Sequence, residues 1–166
     1  MPGLRTIVLL AATTATGLAA GLFYGYVCSV MPGLARADDR TFVTTMQEIN
    51  VAILNGWFAL SFGGSLVLTI AAAVMHRSAD ARPVLPWIVA AAVLYALVLV
   101  ITIAFNVPLN DRLAAAGPVD RIADLAAVRR AFEAPWVRWN LARAIANVAS
   151  FVCLVWALVL EGRIHD

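Results

Sequence analysis

Lysine is absent from this chain of 166 residues, and all twelve of its basic residues are arginine. Charged residues make up 13% of the sequence, which is about half the share typical of a soluble domain. The net charge is only +2 and no basic cluster is present, which excludes a protein that follows a nucleic-acid backbone. The exclusive use of arginine indicates a GC-rich coding bias and predicts a bacterial source.

Cysteine and histidine are almost as scarce. Cys28 and Cys153 both lie in apolar runs and provide neither a disulfide framework nor a metal-binding motif. His76 and His165 provide no pair of haem ligands near the polar residues considered below. The sequence also has no phosphate-binding loop and no dinucleotide glycine pattern. We therefore expect any chemistry to proceed without a tightly held metal or cofactor.

What the chain has in excess is apolar residues, which account for 63% of it. A soluble globule of this size could not bury so many, so lipid is the expected solvent. A helix needs roughly 20 residues to cross a bilayer. Three apolar runs are that long, and a fourth is long enough if its helix begins near Trp136. They predict one transmembrane domain over residues 1–166, with spans at about 5–32, 50–75, 84–108 and 136–161.

The predicted fold is all-α, an integral membrane bundle of four antiparallel helices. Both termini and the 76–83 connection lie on one side, which we call the terminal side. The two long connections, 32–50 and 110–135, lie on the other, which we call the loop side. Asp38 or Asp39 is expected to begin a helix that runs unbroken into the second span. Asp120 is expected to begin a short amphipathic helix over 120–132, which lies on the membrane surface and gates access of an apolar substrate.

The N-terminal run resembles a signal peptide at its start, but it continues well past any cleavage point. We therefore expect a retained first helix and a multi-pass protein of the bacterial inner membrane. The compact, arginine-flanked 76–83 connection favours cytoplasmic termini. The larger number of arginines on the loop side favours the opposite orientation.

Three glycines recur at four-residue spacing in the first span: Gly17, Gly21 and Gly25. Such a face lets another helix approach closely, which is the main packing signal in lipid. We expect this partner to be a helix of the same chain. A homo-oligomer formed through the glycine face is the alternative.

Polar side chains mark the loop-side ends of the spans. They are Gln47, Asn50 and Asn55 in the second span, Asn106 and Asn110 in the third, and Asn140, Arg143 and Asn147 in the fourth. Since these spans begin or end on the same side, the three sets fall at one depth. The first span ends there too and adds Tyr24.

Helical spacing refines this cluster. Trp136, Asn140, Arg143 and Asn147 fall within about 60° on the fourth helix. An arginine facing lipid costs about 2.5–3.5 kcal/mol at mid-bilayer, so Arg143 is expected to point into the bundle. Asparagine amides would surround it, and Asp111 or Glu48 would supply the counter-charge. The alternative is structural, because Asn and Arg near helix ends also join helices or reach headgroups.

Four stretches together resemble one family. They are Met31-Pro32-Gly33-Leu34, Met46-Gln47-Glu48-Ile49-Asn50, Asn106-Val107-Pro108-Leu109-Asn110-Asp111-Arg112-Leu113 and Trp136-Val137-Arg138-Trp139-Asn140-Leu141-Ala142-Arg143. Their order and spacing resemble the anthrone oxygenase-like family of small four-helix membrane proteins. The resemblance implies oxidation of anthrones to anthraquinones by O2 with no recognised cofactor.

Two hypotheses with a ligand follow from the cluster and the resemblance. The first is a cofactor-independent oxygenase acting on a flat phenolic, polyketide-type substrate. In it the catalytic residues are Arg143, Asn140, Asn106, Asn110 and Asn50, and the substrate-binding residues are Trp136, Tyr24, Asn147 and Gln47. The second is a non-enzymatic protein that binds a lipid, a quinone or another small apolar or aromatic ligand, or that serves as an accessory subunit. A purely structural membrane protein with no cavity is the third hypothesis.

Overall fold

A computed structural model describes residues 3–78 and 81–164 of the chain. It is 88% helical, and the described residues form no strand. Five long helices follow one another in this part: α1 (Leu4–Leu34), α2 (Asp39–Ala52), α3 (Gly56–Met75), α4 (Leu85–Ala115) and α5 (Leu125–Ile164). Four of them, all but α2, are long and apolar enough to cross a membrane. The chain is a multi-pass membrane protein, as its composition predicts. His165 lies outside the described residues.

Contacts along the bundle confirm that neighbouring spans run antiparallel. On α1 and α5, Arg5 meets Glu161 at one end, and the carbonyl of Phe23 accepts from Asn140 at the other. On α4 and α5, the Ser150 hydroxyl donates to the carbonyl of Ala91 at 2.9 Å, and the amide of Asn106 meets the carbonyl of Trp136 nearer the loop side. An apolar layer that includes Leu9, Ala72, Ile88 and Leu154 fills the terminal half of the bundle.

A buried polar cluster joins three helices on the terminal side. The Arg5 Nε donates to Glu161 Oε1 at 2.8 Å, and the Thr6 hydroxyl donates to the same oxygen at 3.1 Å. The His76 Nε2 lies 3.3 Å from Glu161 Oε2. Glu161 and His76 are almost completely buried. We call these four residues the terminal clasp, since they hold the ends of α1, α3 and α5 together.

The expected surface helix over 120–132 is not found. Asp120 lies in a single 3₁₀ turn, Val119–Arg121, and it is Asp124 that accepts from the Ala127 N–H to begin α5. From Leu125 the helix continues through Pro135 without a break. Its first turns pack against α2, where the rings of Phe132 and Phe42 have centroids 6.2 Å apart.

Arg129 fixes these first turns of α5 to the first connection. Its terminal nitrogens donate to the carbonyls of Ala35 and Ala37 at 3.0 and 2.8 Å. It also pairs with Asp39 and, within the helix, with Glu133. These contacts explain why the segment becomes part of α5 and does not lie on the membrane surface.

The first connection confirms one expectation and corrects another. Asp38 begins α2, and its carboxylate accepts from the Thr41 N–H at 2.9 Å. This backbone hydrogen bond holds the pKa of Asp38 below its ordinary value. However, α2 ends at Ala52 and does not continue into the second span. Asn55 accepts from the Phe58 N–H and so begins α3 as its N-cap, exposed and outside the polar cluster.

Only one of the three glycines at four-residue spacing in α1 is closely packed. A Cβ at Gly17 would lie 2.8 Å from the ring of Phe151 on α5. A Cβ at Gly21 or Gly25 would meet no atom within 4 Å. The expectation of close packing within the bundle is therefore correct at Gly17 and wrong at the other two positions. Association of copies through this face stays a prediction.

Replacing Gly17 by Leu should push α1 and α5 apart, because the new side chain overlaps the ring of Phe151. Overpacking of this kind costs about 1–3 kcal/mol, so the melting temperature in detergent should fall. Gly21→Leu is the matched control and should leave the melting temperature unchanged. Equal effects of the two substitutions would contradict this packing.

Candidate functional site

A cavity of about 300 Å³ lies at the loop side of the bundle. Its walls come from the second half of α1, the last turns of α2, the start of α3, the C-terminal half of α4 and the N-terminal half of α5. The volume is at the lower limit of small-molecule pockets, which span about 300–1,000 Å³. Its polar lining residues are Tyr26, Gln47, Asn50, Thr102, Asn106, Asn110, Asp111 and Arg143. Trp136, Phe23 and Phe58 add aromatic walls.

Six of the nine predicted site residues therefore line one cavity. They are Arg143, Asn106, Asn110, Asn50, Trp136 and Gln47. The convergence follows from the topology, since the end of α2, the C-terminal half of α4 and the N-terminal half of α5 meet at this level. The roles of these residues stay predictions, but the structure brings them together.

Arg143 lies at the inner end of the cavity and is only 7% exposed. Its Nε donates to Asn140 Oδ1 at 3.1 Å. The guanidinium carbon lies 4.2 Å from the ring centroid of Phe23 and 5.3 Å from that of Trp136. Cation–π contacts of this kind gain strength when the cation is removed from water. The guanidinium is thus held in place by neutral groups.

The expected counter-charge for Arg143 is absent from the described part of the chain. Asp111 and Glu48 are both exposed, and neither pairs with Arg143. Asp111 lines the cavity, whereas Glu48 does not. A buried charge without an ionic partner is costly, and such a charge is typical of sites that receive an anion.

Asn140 lies behind Arg143 and does not line the cavity. Its amide nitrogen donates to the carbonyl of Phe23 at 3.3 Å, while its oxygen accepts from Arg143. Asn140 thus fixes Arg143 relative to α1. Both polar atoms of its amide are therefore bonded to the protein, and its predicted catalytic role stays a prediction.

Trp136 is positioned by the two asparagines of α4. Its Nε1 donates to Asn110 Oδ1 at 2.8 Å. The amide nitrogen of Asn106 lies 3.5 Å from the carbonyl of Trp136. Tyr26 packs against the indole, with ring centroids 5.5 Å apart. The indole therefore forms a rigid wall beside Arg143.

Three helices contain a π turn at the level of the cavity. These turns are Tyr26–Val30 in α1, Ala59–Gly63 in α3 and Thr102–Asn106 in α4. A π turn alters the ordinary backbone pairing of a helix and is often found at functional sites. Side chains bond to carbonyls near two of them: Asn140 to Phe23 and Tyr95 to Phe62.

Gln47 has a bridging role in this structure. Its amide nitrogen donates to the carbonyls of Leu113 and Gly117 at 2.9 and 3.1 Å. These bonds tie α2 to the end of α4. Gln47 thus closes one end of the space between the two helices. Its amide nitrogen is already bonded to two carbonyls.

Two predicted residues lie away from the cavity. Tyr24 is 58% exposed on the outer surface of α1. Asn147 is completely buried one turn beyond Arg143, and neither of its side-chain polar atoms has a partner among the described residues. Sequence reasoning missed Phe23 and Tyr26. The buried positions of α1 recur every three or four residues up to Phe23, and this spacing favours Tyr26 over Tyr24.

A sequence model described as Anthrone oxygenase matches residues 57–153, more than half of the chain. This chain belongs to the anthrone oxygenase family. The match covers the α3, α4 and α5 walls of the cavity, including Asn106, Trp136 and Arg143. Tyr26 and Asn50 lie before it, although they line the same cavity. No curated protein and no solved structure matches the chain.

The geometry at Arg143 makes a prediction about stability. Replacing Arg143 by Met removes a buried charge that has no carboxylate partner, but it also leaves Asn140 Oδ1 without its donor. The gain and the loss oppose each other, so the melting temperature should change little. Asn140→Ala instead removes the acceptor of Arg143 Nε and should cost about 1–3 kcal/mol. Thermal unfolding in one detergent measures both. A large loss of stability in Arg143→Met would show that the guanidinium is structural.

Proposed function

We propose that this member of the anthrone oxygenase family oxidises a flat phenolic, anthrone-like substrate with O2, using its own side chains and no cofactor. The observation that supports this most is the buried Arg143, which faces the cavity without a carboxylate partner among the described residues. An anionic intermediate would complete that site. The family membership supplies the reaction class.

For this reaction the protein has mainly to stabilise and position one anion. An anthrone loses a proton from its methylene carbon to give an enolate, which is electron-rich enough to react with O2. Addition of O2 at that carbon gives a peroxide, and loss of water leaves a carbonyl. One oxygen atom enters the product and the other leaves as water. The protein must favour the enolate and hold it where O2 can reach the carbon.

Arg143 is suited to stabilising the enolate. Its charge lies at a partly apolar depth, where it stabilises an anion more strongly than it would in water. Asn140, Phe23 and Trp136 hold it in place before the ligand arrives, so little reorganisation is needed. Arg143 is therefore proposed to contact the enolate oxygen.

The amides and aromatic rings are suited to holding the enolate where O2 can reach its carbon. Asn50, Asn106 and Asn110 line the cavity and can hydrogen-bond to substrate oxygens without competing for the proton. Trp136 and Tyr26, whose rings are tilted by 51° to one another, offer two aromatic faces that a flat ring can contact. Asp111 is the carboxylate that lines the cavity and is the proposed base, with water as the alternative.

The test is O2 consumption by purified protein with an anthrone, after treatment with a chelator. Arg143→Gln should reduce turnover by about 10²-fold, the usual effect of removing one preorganised group that stabilises an anion. Arg138→Gln is the matched control, because Arg138 is exposed on the same helix and does not line the cavity. It should retain the activity of the unaltered protein.

Three outcomes would contradict parts of this proposal. Turnover no faster than the spontaneous reaction, together with tight binding of an anthraquinone, would establish the ligand-binding alternative. Activity that disappears with chelation would show that a metal takes part. Equal losses in the Arg143 and Arg138 variants would remove Arg143 from the mechanism.

Asp111→Asn tests the base separately. If Asp111 accepts the methylene proton, turnover should fall while binding of an anthraquinone stays unchanged, because the amide is similar in size and shape. Added formate or acetate should then restore part of the rate. An unchanged rate in this variant would assign the proton to water.

A further inference from the structure

The two ends of the cavity differ sharply in exposure. At the inner end, Asn106, Trp136 and Arg143 are at most 7% exposed. At the other end, Val51 and Leu54 are 71% and 80% exposed, although both line the same cavity. The cavity therefore has one open side, at the last turn of α2 and the residues that follow it.

The facing wall of this opening is one side of α4. Val107, Asp111 and Ala114 are all exposed and all line the cavity. They recur at the i, i+4, i+7 spacing that places residues on one face of a helix. We call the gap between this face and Val51–Leu54 the mouth. Gln47 closes the space between α2 and α4 farther along, so the mouth is confined to the end of α2.

The mouth lies at the boundary between lipid and water. The helix α3 has 20 residues, a length of about 30 Å that just crosses the hydrocarbon core. Its first turn, with Trp57 82% exposed, is therefore at the membrane interface, where tryptophan is commonly found. The chain between Leu54 and Trp57 is short, which fixes the mouth at this depth.

We propose that the cavity is loaded from the bilayer through this mouth, and that its ligand is an amphipathic aromatic molecule dissolved in the membrane interface. The apolar side chains of Val51, Leu54 and Val107 suit the ring edge of such a molecule. Arg143 at the inner end suits an acidic oxygen that enters first. The inference rests on the proposed function only for the aromatic class of the ligand.

The depth of the mouth can be measured without any ligand. Nitroxide labels are placed at Leu54→Cys, Ala114→Cys and Ala123→Cys, in a background with Cys28→Ala and Cys153→Ala, and the protein is reconstituted in phospholipid nanodiscs. Ala123 is exposed in the connection between α4 and α5. Labels at 54 and 114 should be relaxed mainly by O2, which concentrates in lipid. The label at 123 should be relaxed mainly by a water-soluble nickel chelate. Nickel accessibility at 54 and 114 equal to that at 123 would overturn the proposal.

The route is tested by obstruction. Ala114→Phe places a ring in the mouth, whereas Ala115→Phe places the same ring on an exposed neighbour that does not line the cavity. The probe is 1,8-dihydroxyanthraquinone, and its association is followed by quenching of protein tryptophan fluorescence. Ala114→Phe should slow association by about tenfold or more, since access then requires movement of the ring. Dissociation should slow in parallel, which leaves the equilibrium constant nearly unchanged.

Each result has a distinct meaning. Equal association rates in the two phenylalanine variants would overturn the proposed route. Failure of the probe to bind the unaltered protein would count against the proposed function, while the nitroxide measurement would still decide where the mouth lies. Faster binding of a sulfonated, water-soluble anthraquinone than of the membrane-soluble probe would show that the mouth opens to water.

Discussion

The arrangement of the helices on the loop side depends on how the buried guanidinium of Arg143 is held among apolar groups. The interaction that achieves this is the contact of Arg143 with Asn140 and with the ring faces of Phe23 and Trp136. These groups stabilise the charge without neutralising it. They also require α1 and α5 to stay at one relative height, because Phe23 belongs to α1 and the other three residues to α5. The hydrogen bond from Asn140 to the Phe23 carbonyl fixes that height locally.

The terminal clasp supports the same register from the opposite end. It joins α1 to α5 through Arg5 and Glu161, and it brings α3 to them through His76. Between the clasp and the cavity lies the apolar layer around Leu9 and Leu154. In lipid, apolar surfaces gain little by association with one another. Polar contacts at the two ends therefore specify the register that apolar packing leaves undetermined.

The spans and the depth of the cluster could be predicted because the bilayer imposes them. A hydrocarbon core sets the length of each helix, and an antiparallel order then places Asn106, Asn140 and Arg143 at one level. The sequence did not indicate where the cavity beside Arg143 ends. Asn147 shares the helical face of Arg143 but lies one turn beyond it, where the helices close. Helical spacing gives a direction around the axis and no information about free space.

The starts of α3 and α5 were also not predicted, because more than one residue before each helix can serve as its N-cap. Asp120 and Asp124 both precede an apolar stretch, and the contacts of Arg129 with Ala35 and Ala37 favour the start at Leu125. Likewise, the apolar residues before Asn55 suggested a continuous helix, but Asn55 bonds to the Phe58 N–H and begins a new one. The contacts of Arg129 are tertiary and have no local signal in the sequence. The Asn55 cap is local, and Asn is a preferred N-cap residue, so this helix start could have been predicted.

The unbroken α5 has a consequence for how this chain can change in length. Its 40 residues form a rod of about 60 Å, and Trp136, Arg143 and Glu161 all lie on its buried side. Inserting one residue between Arg143 and Glu161 would turn one end by about 100° relative to the other. Either the guanidinium or the carboxylate would then face lipid. Insertions and deletions should therefore be tolerated in the connections between helices and excluded from this segment, so its length is expected to be the least variable dimension of the protein.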